Sequence, residues 1–388
     1  MSDPVIQGWC PGALRPMASG DGLVVRIRAP HSRLTPEQAR GLAYLAGRYG
    51  NGLIDLSARA NLQLRGIGPA SHAALIDGLR SLGLVDGSIA VETRRNILLT
   101  PFWTPGDAND RIARTLTATL MQEAAPDLPG KFGFAVDCGP APVLTETPAD
   151  IRLERGADGG LICRADHATH GARVTIATAA STASSLARWF LDSGGAPEGR
   201  GRMARHLGRG AVPPGRFGEA AMSPAQTVPD PGPCPGGVLV ALEFGQMRAE
   251  TLTSLADLGP LRLTPWRMLL IEGAGIAPAL PRLIADPEDP RLRISACTGA
   301  PGCPQALAAT RTLARVLAPH LPAHQRLHIS GCAKGCAHPG PAPLTLVATG
   351  PDRFDLTRQG RASDPPARRT LSHETLTSHP DLLTDEGP

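Results

Sequence analysis

Lysine is almost absent from this sequence: the basic residues are nearly all arginine, and only Lys131 and Lys334 break the rule. Aromatic residues are scarce at 3%, and no apolar run is long enough to span a bilayer. The opening M-S-D-P-V-I-Q-G-W-C carries neither a positive n-region nor an apolar h-region. A formal net charge of +4 is mild and no basic block stands out, which argues against nucleic-acid binding. No G-x-G-x-x-G fingerprint follows a strand, and G-A-G at 273–275 is too short to stand for one. The expectation is a cytoplasmic protein with no membrane partner, no nucleic-acid partner and no dinucleotide site of its own.

What is present suits a soluble globular chain. Its 388 residues have room for two or three domains, with 42% hydrophobic and 19% charged residues. A strand at 22–28 precedes a helix at 31–50, capped by Thr35 with Pro36 in the first position and stopped by Gly50. Strands at 53–56 and 62–67 and a helix at 71–82 complete a β-α-β-β-α unit, whose helices would cover one face of a small sheet. The order returns with a strand at 238–242, a helix at 249–258, strands at 261–263 and 268–271, and a helix at 277–284. The phrases match as well: I-D-L-S-A-R-A-N-L-Q-L-R-G-I at 54–67 against L-R-L-T-P-W-R-M-L-L-I-E-G at 261–273. Two such halves about a pseudo-twofold axis would enclose a cleft. Between them, helices at 111–123 and 182–191 flank strands at 131–137, 151–154, 161–165 and 172–177.

Four of the eight cysteines fall in one stretch, as Cys297-x5-Cys303 and Cys332-x3-Cys336. Both pairs sit in Gly-rich sequence, where backbone N–H groups can approach an anionic centre closely. Pro304 opens a helix-like run at 305–321, which would put Cys303 at the positive end of a helix dipole. An iron–sulfur cluster is the reading this favours. Structural zinc remains open although it commonly uses C-x2-4-C; so do a disulfide pair, which wants an oxidising compartment, and four unrelated thiols. Cys10, Cys138, Cys163 and Cys234 are isolated in sequence and read as small buried residues.

The C-x5-C…C-x3-C arrangement, with T-G-A-P-G-C-P and I-S-G-C-A-K-G-C around it, resembles the sirohaem-containing sulfite and nitrite reductases. Over residues 8 to 350 the chain resembles more specifically the precorrin-3B synthase family of aerobic cobalamin synthesis. The resemblance implies an α+β, duplicated nitrite/sulfite reductase-like fold: two ferredoxin-like half-repeats and two α/β domains, the last carrying a [4Fe-4S] cluster on Cys297, Cys303, Cys332 and Cys336. The expected division is a half-repeat at 8–85, a middle domain at 86–195, a loop-rich linker at 196–236, the second half-repeat at 237–290, the cluster domain at 291–350 and a weakly ordered tail at 351–388.

A tetrapyrrole bristling with acetates and propionates calls for guanidinium groups, which grip carboxylates bidentately and stay charged. The matching phrases supply Arg59, Gln63 and Arg65, then Arg95 and Asn96, then Lys131 in L-P-G-K-F, and Arg267 in the second half. Lys131, Arg59 and Arg95 would be catalytic as well as substrate-binding. For each arginine a solvated surface role competes. The reductases carry a second lysine two residues after the first, where this sequence has Gly133; that change is expected to leave space and less positive charge above the ring. Cys336 matches the thiolate bridging cluster and sirohaem in the reductases and would here serve the cluster only. The family also implies a mononuclear non-haem iron. His328 and His338 flank the cysteines as candidate ligands, but no facial triad stands out and the ligands stay unassigned, since His328 in an alternating strand reads equally as solvent-facing. The reaction implied is precorrin-3A and O2 to precorrin-3B, by C20 hydroxylation and γ-lactone formation. Electrons would come from NADH through a partner reductase. A sirohaem-dependent sulfite or nitrite reductase and a non-catalytic iron–sulfur tetrapyrrole-binding protein stay open beside it.

Overall fold

The computed structural model describes residues 11–383, so Cys10 lies outside the described residues. The first half builds strands Met17–Ser19, Gly22–Ile27, Leu53–Leu56 and Leu62–Ile67 around helix Pro36–Tyr49. That helix has a full capping box: Thr35 accepts from the Gln38 N–H, and the Gln38 side chain accepts from the Thr35 N–H. It starts later than the sequence suggested because His31 (φ 53°) and Ser32 (φ 51°) form a left-handed turn that a helix cannot include. Helix His72–Ser81 buries Leu75, Ile76 and Leu79.

The two halves exchange strands. Gln246–Arg248 of the second half pairs with Leu53–Leu56 of the first, with Gln246 opposite Asp55. Reciprocally, Arg33–Leu34 of the first half pairs with Leu261–Leu263, with Arg33 opposite Arg262. The second sheet therefore runs Gly232–Cys234, Gly237–Leu242, Met268–Glu272, Leu261–Leu263, Arg33–Leu34. Ile27, Leu42, Ile54 and Leu64 of the first half share a single core with Val240, Leu252, Leu261 and Ile271 of the second. Neither half could bury that apolar face alone.

Two further sheets have cores of their own. The middle sheet starts with parallel pairs Ile97–Leu99/Phe134–Asp137/Ile151–Arg155 and continues antiparallel through Leu161–Ala165 and His170–Val174. The fourth repeats this pattern with Ile294–Ala296, Leu327–Ser330 and Ala342–Gly350 parallel, then Arg353–Gly360 and Arg368–Ser372 antiparallel. The registers superimpose Thr100 on Cys297: the Thr100 N–H donates to Val136 O (2.9 Å) and the Cys297 N–H to Ile329 O (3.2 Å).

Several expectations are corrected. The expected tail is structured to residue 383, because Phe354 and Leu356 are buried and their strand pairs along Ala342–Gly350. The expected linker contributes an edge strand, Gly232–Cys234, to the second sheet. No helix forms at 277–284; A-P-A-L-P interrupts it, and only Leu283–Ile284 is regular. The helix after Pro304 begins at Thr310, so Cys303 does not sit at its N-terminus. Finally, the expected iron–sulfur-bearing character of the last domain is overturned: among the described residues, no group of three or more His, Cys, Asp or Glu side chains is placed to hold a metal ion.

Candidate functional site

Where the first half meets the middle domain, arginines gather at strand ends. Arg95 follows helix Ile89–Arg94 and forms a bidentate pair with Asp86 (2.7 and 3.0 Å), while its Nη2 also donates to Arg28 O (2.7 Å). Asn96 is buried, donating to Phe132 O (2.9 Å) and accepting through its own carbonyl from the Phe134 N–H (2.9 Å). Gly133 is where these groups converge. A Cβ there would lie 2.7 Å from Asn96 Nδ2 and 3.3 Å from Arg59 Nη1. The missing side chain therefore leaves no open space, contrary to the expectation; the Asn96 amide and the Arg59 guanidinium already fill it. Only the loss of positive charge stands. Lys131, two residues away, is exposed.

Three residues that the sequence reading passed over complete this corner. Arg28, His31 and Asn61 line a small enclosed pocket with Ser32 and Arg95. Arg28 Nε and Asn61 Nδ2 are buried without a hydrogen-bond partner among the described residues, a costly state that an incoming acceptor would relieve. Burial, then the nearby Arg26 charge, pushes the Arg28 pKa down to about 10, opposed by Glu92 at 3.3 Å. Burial, followed by Arg114, lowers the His31 pKa, so its imidazole is neutral near pH 7. Strand alternation hides this site from a sequence reader: V-V-R-I-R places Arg28 with Arg26 on the polar face, yet Arg28 is buried because the middle domain covers that face.

Other expected ligands are engaged elsewhere. Gln63 Oε1 accepts from Arg26 Nη2 (2.9 Å). Arg65 is 5% exposed and donates to Asp21 (2.9 Å twice), Asp55 (3.2 Å), Ser19 Oγ (3.1 Å) and Gly302 O (2.6 Å). It is a hub between domains, not an open substrate ligand. Arg267 takes a left-handed φ of 60° and donates to Ala337 O (2.9 Å), beside the second cysteine pair.

The cysteine loops lie next to one another. Cys297 Sγ accepts from the Gly331 N–H (3.2 Å) and lies 3.8 Å from Thr310 Oγ1. Burial pushes the Cys332 thiol up, opposed by the Lys334 N–H, and charge on Cys303 and Cys297 adds to the shift. Cys336 is exposed. This thiol-rich donor set, with a backbone N–H aimed at sulfur, has the chemistry for a metal–sulfur group, but the grouping found is not a metal site. His328 is buried, not solvent-facing; both ring nitrogens lack a hydrogen-bond partner among the described residues, and burial, then His338 and Arg267, depresses its pKa to about 4. Cys138 and Cys163 are buried as expected, and Cys234 partly so.

Comparison with known proteins fits this geometry. Residues 15–82 match the model of the nitrite/sulfite reductase ferredoxin-like half domain. A precorrin-3B synthase from Sinorhizobium sp is 31% identical, over 94% of this chain and 85% of that protein. The chain belongs to the precorrin-3B synthase family. Within the wider superfamily, the chloroplastic ferredoxin–nitrite reductase of Zea mays is 35% identical over 19% of this chain and 13% of its own length. The Mycobacterium tuberculosis NirA structure matches with a TM-score of 0.58 at 17% identity, over 92% of this chain and 79% of that one, which speaks to the fold alone. No helix among the described residues is long and apolar enough to cross a membrane.

Proposed function

We propose that this family member is an O2-dependent monooxygenase converting precorrin-3A to precorrin-3B. The observation that carries the reading is the near full-length similarity to a precorrin-3B synthase. The chemistry of the corner supports it: a polycarboxylate macrocycle needs fixed guanidinium groups, as on Arg28, Arg59 and Arg95, and buried donors awaiting acceptors, as Arg28 Nε and Asn61 Nδ2 are among the described residues. In this reading Arg59, Arg95, Asn96 and Arg28 orient substrate carboxylates, with Lys131 at the rim and Gln63 holding Arg26. Arg59, Arg95 and Lys131 would also steady charge developing on the macrocycle.

Superfamily membership implies iron–sulfur or sirohaem chemistry as the class of cofactor to test. The finer assignments are proposals for metal analysis: a separate mononuclear iron, and NADH acting through a partner reductase in the cytoplasm. The four-cysteine cluster, overturned above, is not among them. The deciding experiment supplies precorrin-3A, reductant and ¹⁸O2 and reads the product by mass spectrometry. Label in the new hydroxyl supports the oxygenase; turnover without label removes it. Stoichiometric sirohaem with sulfide released from sulfite would favour the reductase reading, and macrocycle binding without turnover a binding protein.

A further inference from the structure

The buried charges around the cysteine loops form a pattern that substrate binding does not explain. Asp21 and Asp55 face Arg65 and Arg311, two acids against two bases, at the junction of the first half with the fourth domain. Arg65 reaches out of that network to Gly302 O (2.6 Å), the carbonyl just before Cys303, and Ser19 Oγ donates to the same oxygen (2.7 Å). Backbone contact is close here: a Cβ on Gly20 would lie 2.3 Å from Pro301 O. From the second half, Arg267 reaches Ala337 O (2.9 Å), the carbonyl just after Cys336. Its stalk crosses Gly245, where a Cβ would lie 2.7 Å from Arg267 Cδ.

A matching clamp on the other side of the molecule carries no thiols. Arg262, bonded to Glu272 (2.6 Å), donates to Pro101 O (2.7 Å) and Trp103 O in the turn that follows the middle sheet's first strand. That turn corresponds to the one holding Cys297 and Cys303, since Thr100 and Cys297 share the same register. Gripping this turn is thus something each half does with a charged pair.

We propose that Arg65 and Arg267 are positioning residues, one from each half, that hold the Cys297–Cys303 and Cys332–Cys336 loops at a set separation. The assignment does not rest on the oxygenase reading. A guanidinium donating to a peptide carbonyl makes a charge-assisted bond, and losing one raises local opening by roughly tenfold. Arg65 needs its whole fork, because it serves two carboxylates, a hydroxyl and a carbonyl at once. Arg267 needs one donor.

Hydrogen–deuterium exchange with peptide mass spectrometry on the full chain tests this without substrate, so its failure is distinguishable from failure of the ¹⁸O2 experiment. Arg65→Gln should accelerate exchange across 298–306 roughly tenfold while leaving 331–341 within about twofold; Arg267→Gln should do the reverse. Arg267→Lys should restore the second loop, whereas Arg65→Lys should not restore the first. Ser19→Ala removes one bond to Gly302 and the one that Ser19 Oγ accepts from Arg65 while leaving every charge in place, and should loosen only 298–306, about threefold. That variant decides the Arg65 assignment if Arg65→Gln does not fold. Unchanged exchange in both loops, or equal acceleration of both loops together with strand Phe134–Asp137, would overturn the proposal.

Discussion

The two halves share one geometry and carry opposite charges on it. Strand registers place Ile54 with Leu261 and Leu64 with Ile271, so Asp55 corresponds to Arg262 and Arg65 to Glu272. Left-handed backbone recurs at matching places: His31 with Phe244, Ala60 with Arg267, Gly66 with Gly273. At the hub the acid and base have traded positions. In the first half Asp55 accepts from Arg65, from Arg311 and from Gln246 of the exchanged strand. In the second half Glu272 accepts from Arg262 and from Arg33 of the exchanged strand. Duplication preserves backbone shape and complementarity at each site, but not which partner carries which sign. The first hub is sealed and turned towards the cysteine loops, and the second is more open and turned towards the middle domain.

The largest expected effect tests that difference in burial. Asp55→Ala leaves Arg65 and Arg311 without their shared carboxylate and should cost about 3–5 kcal/mol in urea unfolding. Glu272→Ala acts on partly exposed arginines, with Arg33 30% exposed, and should cost about 1–2 kcal/mol. Equal losses would mean the hubs do not differ as described. Next, the proposed ligand corner draws on the first half and not the second. Arg59→Ala and Arg95→Ala should each weaken a carboxylated tetrapyrrole by about 1.5–3 kcal/mol in calorimetric titration, and exposed Lys131→Ala by about 1 kcal/mol or less. Trp266→Phe, at the position matching Arg59, should leave affinity unchanged.

A smaller effect compares the middle and fourth sheets. Asp137 is buried, and burial, opposed by the Leu144 and Val143 N–H groups and reinforced by Glu154, raises its pKa from 3.8 to about 6; Ser330 stands in the matching position. Between those pH values the folded state holds the proton more tightly than the unfolded one, so this group's contribution falls as pH rises through the window. Stability measured from pH 4 to 7 should therefore show a decline, on the order of 2 kcal/mol, that Asp137→Asn removes. His328 acts in the opposite direction. Its pKa is depressed to about 4, so between that value and 6.5 the unfolded state binds more protons, and its contribution is lost as pH falls. The smallest contrast is between two glycines of like backbone. Gly66 (φ 69°) and Gly273 (φ 72°) share a left-handed backbone that would strain an added side chain alike, but a Cβ at 66 meets Asn51 Cγ at 2.6 Å while position 273 is open among the described residues. Gly66→Ala should cost about 1 kcal/mol more than Gly273→Ala in thermal unfolding.

The duplication and most strands of both halves were legible in the sequence alone. Those features rest on local signals: alternation in L-Q-L-R-G-I, a capping box at Thr35, and repeated phrases around a shared turn. It failed where local signals point the wrong way. The prolines of A-P-A-L-P, which rule out the helix expected at 277–284, went unheeded, and polar residues past 350 masked a strand pair stabilised by Phe354 and Leu356. Tertiary packing sets which arginines remain at the proposed ligand corner and which are engaged between domains. Arg59 and Arg65 sit in one phrase and look alike in sequence, yet Asp21, Asp55 and Gly302 arrive around Arg65 from three separate segments. Arg28 is the converse case: it reads as a surface residue, and it is buried because another domain covers its strand face. A charged side chain's role is set by what the rest of the chain brings within about 3 Å of it, and that is information its own neighbourhood in sequence does not carry.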